Sequence, residues 1–108
     1  MNTKAAVQRL SALAQDTRLA IFRLLVQKGP AGLCVGDIGD KLKVAPATLS
    51  FHLKELTHAG LIRASQEGRF IYYAPDFKVM NSLLAYLTEN CCGGRDCAPV
   101  CEPRQKAA

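Results

Sequence analysis

No hydrophobic run in the 108-residue sequence approaches the roughly 20 apolar residues that a membrane-spanning helix needs. The first ten residues also lack the apolar stretch and small-residue cleavage site of a secretory signal. We therefore expect a cytoplasmic protein with no membrane partner. In that reducing compartment, clustered cysteines bind soft ions or do redox chemistry more often than they form a disulfide framework.

Catalytic constellations are also missing from the sequence. It contains no cysteine–histidine pair on predicted ordered elements, no carboxylate pair in a predicted cleft and no phosphate-binding loop. We expect neither an enzyme nor an organic cofactor. Because the length suits one core rather than two, we predict a folded domain over residues 1–90 and a cysteine-rich tail over residues 91–108.

Positive charge is in moderate excess, with 14 Lys and Arg against nine Asp and Glu and a formal net charge of +5. This excess favours an acidic partner, with nucleic acid as the first candidate, although it is also ordinary for a soluble domain. Lys4, Arg9 and Arg18 are candidates either for phosphate contacts or for solvated surface charge. Charge therefore indicates a class of partner without establishing it.

Hydrophobic periodicity predicts four helices in the first sixty residues. The second helix is apolar on a wide front, which is typical of a central core helix. The third and fourth helices meet at a tight corner, because Pro46 suits the first position of a new helix. The predicted helices are Lys4–Ala14, Thr17–Gln27 after an N-cap at Asp16, Val35–Lys43, and a fourth from Pro46 that Gly60 ends.

The fourth helix carries a leucine stripe, Leu49, Leu53 and Leu56, whose spacing predicts that it faces the core. Phe51 is unusual on the opposite face. An exposed aromatic ring there either packs on a neighbour or contacts a ligand, such as a thymine methyl group in a major groove. The residues expected on or near that face are Ala47, Thr48, Ser50, Phe51 and Lys54.

Two β-prone runs, Leu61–Ser65 and Arg69–Ala74, flank a glycine-containing turn and predict a β-hairpin with Arg69 close to its tip. Asp76 suits the cap of a final amphipathic helix that ends near Asn90. The order of elements predicts an α+β winged helix-turn-helix, whose second corner helix enters a DNA major groove. The first and last helices carry further apolar faces, so we expect them to be dimerisation helices that pair with a second copy.

Three segments resemble the ArsR/SmtB family of bacterial metal- and metalloid-responsive repressors. ALAQDTRLAIFRLL (12–25) resembles the family's opening signature, PATLSFHLKELTHAGLI (46–62) its recognition helix and EGRFIYYAPD (67–76) its wing. The resemblance implies a homodimer that binds double-stranded operator DNA when free of metal and releases it when an inducer binds. We expect DNA contacts from Ala47, Thr48, Ser50, Phe51, Lys54 and Arg69.

The recognition helix departs from the family pattern at Phe51, where many members carry a polar residue, often histidine or arginine. We therefore expect a different base preference at that contact. Arg69 is a stronger candidate for a DNA contact than the scattered N-terminal cations, because a cation at the wing tip can enter a narrow minor groove.

Two inducer sites of the resembling family lack ligands in this chain. One uses a Cys-Val-Cys pair on the helix before the corner, but here Cys34 is followed by Val35 and Gly36. We interpret Cys34 alone as a small buried hydrophobic residue. Another uses histidine and carboxylate on the last helix for zinc, whereas the only histidines are His52 and His58. We expect no site of that type.

The remaining cysteines, Cys91, Cys92, Cys97 and Cys101, follow the last predicted helix. Thiolates select soft ions, and As(III) favours three sulfur ligands. The arrangement is similar to the branch of the family whose arsenic thiols are an adjacent cysteine pair plus a later cysteine. We expect As(III) as the inducer, bound by Cys91, Cys92 and Cys97, with Cys101 as the alternative to Cys97. Antimonite and trivalent organoarsenicals are the further candidates.

Other interpretations of these thiols stay open at this point. They are a zinc site with four thiolate ligands, a thiol redox switch and a tail without function. Zinc is disfavoured because adjacent cysteines chelate one ion awkwardly. A hypothesis from another class is a metalloid carrier that does not bind DNA and uses the winged helix only for dimerisation.

Overall fold

The computed structural model describes residues 1–94, which form five α-helices and three β-strands. A short 3-10 turn follows the last helix. The elements are α1 (Thr3–Leu13), α2 (Asp16–Lys28), β1 (Leu33–Cys34), α3 (Val35–Leu42), α4 (Pro46–His58), β2 (Ile62–Glu67), β3 (Phe70–Pro75), α5 (Phe77–Leu87) and the 3-10 turn Cys91–Gly94. The winged helix-turn-helix predicted from the sequence is confirmed, and α1 and α5 flank it.

Side-chain caps begin three of the helices. The Asn2 side chain accepts a hydrogen bond from the backbone N–H of Ala5 at 2.8 Å, and Asp76 accepts one from Val79 at 3.1 Å, as predicted for the last helix. The predicted cap at Asp16 is wrong. Gln15 is the N-cap of α2 and accepts from the N–H of Arg18, because the helix begins one residue earlier, with Asp16 already in its first turn.

The corner between α3 and α4 is tight because α3 ends in a left-handed residue. Lys43 has φ 56° and ψ 48°, and the N–H of Val44 returns to the carbonyl of Gly39 at 3.1 Å. Pro46 then occupies the first turn of α4, where no backbone N–H is needed. This corner therefore places the start of α4 at the surface.

The sheet is antiparallel with strand order β1-β3-β2. The strand β1 was not predicted, since two residues show no periodicity and their partner is distant in sequence. Its approach to β3 requires a glycine, because Gly32 has φ 76° and a Cβ there would lie 2.5 Å from the carbonyl oxygen of Tyr73. Cys34 pairs with Tyr72 in this strand and is half-buried rather than part of the core, which corrects its interpretation as a buried hydrophobic residue.

The core lies where α2, α3 and α4 meet the base of the hairpin. Leu49, Leu53 and Leu56 are all buried, which confirms the inward orientation of the leucine stripe. On α2 the apolar front is only partly covered, because Leu19 stays exposed. The other side chains buried in the same cluster are Ile21, Phe22, Leu25, Leu33, Ile38, Ala59, Leu61 and Ile62.

The helices α1 and α5 lie in contact, and the hydroxyl groups of Thr3 and Tyr86 share a hydrogen bond. Both helices expose large apolar side chains. Val7 and Leu10 are exposed on α1, and Leu84 and Leu87 are exposed on α5. We call these four residues the apolar α1/α5 surface. In the described part of the chain, no helix has the length and apolar character needed to cross a membrane.

Candidate DNA-binding surface and thiol site

The outward face of α4 carries every residue that the sequence predicted for it. Ala47, Thr48, Ser50, Phe51 and Lys54 are all exposed. Because the leucine stripe fixes the rotation of the helix, short polar side chains near its N-terminus and Lys54 one turn later share the solvent side. The face thus offers hydroxyl groups, an apolar ring and one cation along a single helix.

Phe51 is 55% exposed, and its ring meets the buried ring of His52 edge to face, with centroids 5.5 Å apart and an interplanar angle of 63°. Such geometry is favourable for aromatic pairs and restricts the orientation of the exposed ring. His52 was missed as a supporting residue by the sequence reasoning. Its position three residues after Leu49 was the available signal, since that spacing belongs to the inward face.

The hairpin formed by β2, β3 and the turn Gly68–Arg69 is the wing. Gly68 has φ 65° at the first of the two turn positions, as two-residue hairpins require. Arg69 is therefore at the tip, as predicted, and is exposed. The strands begin and end one or two residues later than expected, since Ile62 pairs with Pro75 and Glu67 with Phe70.

Two of the three N-terminal cations considered for phosphate contacts form hydrogen bonds within the protein. Nε of Arg18 donates to the carbonyl of Ala12 at 2.7 Å, across the junction of α1 and α2. Arg9 donates from Nη1 to the carbonyl of Ala5, and its Nε is buried with no hydrogen-bond partner among the described residues. Lys4 is exposed. Arg18 therefore links the start of α2 to the end of α1, and Arg9 is half-buried and bonded within α1, so neither side chain is a fully solvated surface charge.

The thiol site is only partly described. Cys91 is half-buried and Cys92 is exposed at the start of the 3-10 turn that follows α5. The N–H of Cys91 donates to the carbonyl of Thr88 at 3.0 Å, so the turn is fastened to the end of the helix. Cys97 and Cys101 lie outside the described residues. Within residues 1–94, no cluster of three or more metal-ligating side chains occurs.

The two other inducer positions of the family, at Cys34 and on the last helix, lack partner ligands in the described residues. Cys34 lies at the junction of β1 and α3, where the residue two positions later is Gly36. Both His52 and His58 lie on α4, and α5 carries no histidine. In the described part of the chain, neither family position gathers a ligand set.

Comparisons with known proteins agree with this architecture. Residues 13–64 match a family described as a helix-turn-helix domain. The chain is 38% identical over 85 residues to the arsenical resistance operon repressor of Bacillus subtilis strain 168. The matched region covers 79% of this chain and 77% of that protein.

Two solved structures show the same fold. One is described as a possible transcriptional regulator for arsenical resistance (30% identity, TM-score 0.65, covering 74% of this chain and 80% of that one). The other is the homodimeric winged helix-turn-helix DNA-binding domain Mb0332 from Mycobacterium bovis (26% identity, TM-score 0.64, 85% of each chain). The fold and the relatives are those of transcription regulators rather than enzymes, and the chain belongs to the ArsR family of winged helix-turn-helix transcriptional regulators.

Proposed function

We propose that the protein is a homodimeric repressor of an arsenic-resistance operon, released from its operator by trivalent arsenic. The observation that carries the DNA-binding part is the exposed face of α4 beside the cationic wing tip. The similarity to a Bacillus subtilis protein named for arsenical resistance supports sensing of a metal or metalloid. A cytoplasmic location accompanies this proposal.

The proposed DNA complex places α4 in the major groove. Thr48 and Ser50 supply hydroxyl groups to base edges or phosphates, Phe51 supplies an apolar contact and Lys54 a phosphate contact. Arg69 reaches the adjacent minor groove from the wing. Ala47 lies at the start of the helix, where a small side chain permits close approach of the backbone to DNA.

Dimerisation is proposed through the apolar α1/α5 surface. Val7, Leu10, Leu84 and Leu87 expose large side chains that a second copy would remove from water. The solved Mycobacterium bovis domain, described as homodimeric, supports this arrangement. A twofold dimer sets its two α4 helices on half-sites about one turn of DNA, roughly 34 Å, apart.

The proposed inducer site is formed by Cys91, Cys92 and a third thiolate, Cys97 or its alternative Cys101. Because the turn carrying the first two is hydrogen-bonded to the end of α5, an ion bound there acts directly on a proposed dimerisation helix. Release needs only a coupling free energy of about 1 to 3 kcal/mol between ion and DNA. By linkage, operator DNA then weakens arsenic binding by the same factor. Antimonite and trivalent organoarsenicals share the required affinity for sulfur.

The deciding experiment is fluorescence anisotropy of the reduced protein on DNA from the promoter of its own gene. Parallel titrations use arsenite, Zn²⁺ and hydrogen peroxide. Release by arsenite alone supports the proposal. Release by peroxide alone replaces it with a redox switch at the same cysteines. Release by Zn²⁺ replaces arsenic with zinc as the ion that the thiolates sense. Failure to bind DNA favours the metalloid-carrier hypothesis.

A further inference from the structure

Phe70 has the highest exposed fraction of the exposed large hydrophobic side chains in the described part of the chain, at 60%. It is the first residue of β3 and directly follows Arg69 at the wing tip. Leaving an aromatic ring in water gains nothing for folding, because apolar surface stabilises a protein only when it is removed from water. The exposed part of Phe70 therefore contributes nothing to folding within one chain.

The register of the hairpin shows which way Phe70 faces. Alternate residues of β3 lie on opposite faces of the sheet. Ile71 and Tyr73 line a groove against Ser50 and Lys54 of α4. Phe70 belongs to the other set, together with Tyr72, and therefore lies on the face of the sheet directed away from α4.

The residue across the strand leaves most of the ring exposed. Phe70 pairs with Glu67, which is itself exposed, and the pair closes the two-residue turn. Tyr72 lies two residues further from the tip on the same face and borders a cleft with Ser65 and Lys78 at the base of the hairpin. Most of the Phe70 side chain is thus exposed at the end of the wing, directly after Arg69 in the chain.

We propose that Phe70 is an apolar wedge that inserts at a base step of the minor groove while Arg69 occupies the groove beside it. This inference rests on the proposed binding of operator DNA and adds a specificity-determining residue to it. Phenylalanine is among the side chains that architectural proteins insert between base steps, partly unstacking them and bending the duplex.

Charge favours DNA over a protein as the occupant. Phe70 directly follows Arg69 and lies opposite Glu67, which is the only acidic residue of β2, the turn and β3. The same elements carry two cations, Arg63 near the base of the hairpin and Arg69 at its tip, so their net charge is positive. A cation at a wing tip is drawn into the negative potential of a narrow minor groove, which brings the adjacent ring to the base edges. The Arg69 cation would contribute less binding free energy to a contact with an apolar protein surface than to one with DNA.

The wedge has a sequence consequence at the flank of each half-site. Pyrimidine–purine steps unstack and kink most easily, so we expect a TA or CA/TG step where the ring inserts. Since Phe70 is uncharged, its contribution does not release counterions and is independent of salt. Removing it therefore changes affinity without changing the salt dependence of binding.

The test uses the full-length reduced protein and a promoter duplex whose protected region has been mapped by footprinting. 2-Aminopurine is placed at successive flanking positions, since its fluorescence rises when it is unstacked. We expect wild-type protein to raise the fluorescence at one flanking step per half-site. Phe70→Ala should abolish the rise and weaken binding by roughly tenfold, the scale expected for an aromatic–base contact. Phe70→Leu, which keeps an apolar wedge, should retain most of both.

Arg69→Ala is the matched control in the same turn. It should lower the slope of log affinity against log salt by about one, whereas Phe70→Ala should leave the slope at the wild-type value. Thermal unfolding should be the same for wild type and Phe70→Ala, because the ring is exposed in the protomer.

The wedge is overturned if wild-type protein binds the duplex but no flanking 2-aminopurine responds. Equal affinity of wild type and Phe70→Ala overturns it as well, as does a salt slope that falls with Phe70→Ala. Absence of DNA binding by wild type is a different failure, because it refutes the proposed function itself.

Discussion

Replacing Leu84 and Leu87 together by serine is expected to separate the dimer without unfolding the protomer. Each side chain is 53% exposed in the single chain. Full burial of a leucine is worth about 1.5 to 3 kcal/mol, so completing the burial of a half-exposed one contributes roughly 1 kcal/mol. In the proposed dimer, twofold symmetry brings four such side chains into the interface, two from each copy. The dimer should therefore lose roughly 4 kcal/mol, which is nearly a thousandfold in dissociation constant.

The assay is sedimentation equilibrium over a concentration series, with circular dichroism to show that the helices remain. Ile71→Ser is the matched control, since Ile71 is also an exposed aliphatic residue but lies on the wing. We expect the control to stay dimeric. A double variant that remains dimeric at the same concentrations as wild type would refute the assignment of the interface to α5.

Three further predictions concern the site and its support. Cys91→Ser or Cys92→Ser should leave operator affinity unchanged and abolish release by arsenite in the anisotropy titration; a single variant that still releases DNA normally contradicts the ligand assignment. Thr48→Ala or Ser50→Ala should each weaken operator binding by about 1 kcal/mol. The number of arsenic atoms bound per protein, measured by mass spectrometry, should stay unchanged. Loss of both DNA binding and arsenic binding would indicate misfolding instead. Arg18→Met should lower the free energy of unfolding, measured by chemical denaturation, by about 1 to 3 kcal/mol, because the partly buried carbonyl of Ala12 loses its donor. An unchanged free energy of unfolding would show that Arg18 is a solvated surface cation.

Local rules predicted most of the fold because they act within a few residues. The leucine stripe of α4, the proline at its start and the glycine turn of the wing each have a physical cause that is visible in the sequence. The strand β1 escaped prediction for the opposite reason. Its pairing joins Leu33 to Tyr73, and such a contact depends on the tertiary fold.

The candidate site was predictable to different degrees in its two parts. The exposed face of α4 follows from helical period once the buried stripe is identified. Residues such as Arg9 and Arg18 were harder, because a cation that donates to a neighbouring carbonyl has the same sequence signature as one that meets a phosphate. The spacing of the C-terminal cysteines does not choose between Cys97 and Cys101 as the proposed third ligand, and both lie outside the described residues.

The two-residue strand β1 has a mechanical consequence for how such a regulator reads its DNA. It joins the entrance of α3 to the central strand of the sheet, so β3 is paired along both edges near its middle. The pairing of β1 thereby connects the start of α3 to the middle of the wing. In the proposed DNA complex, this connection restricts changes in the distance between the contacts of α4 and those of the wing tip. We expect an operator with one base pair inserted between those contacts to bind more weakly in the anisotropy titration. A change in the spacing of the two half-sites would instead have to be accommodated at the proposed dimerisation helices.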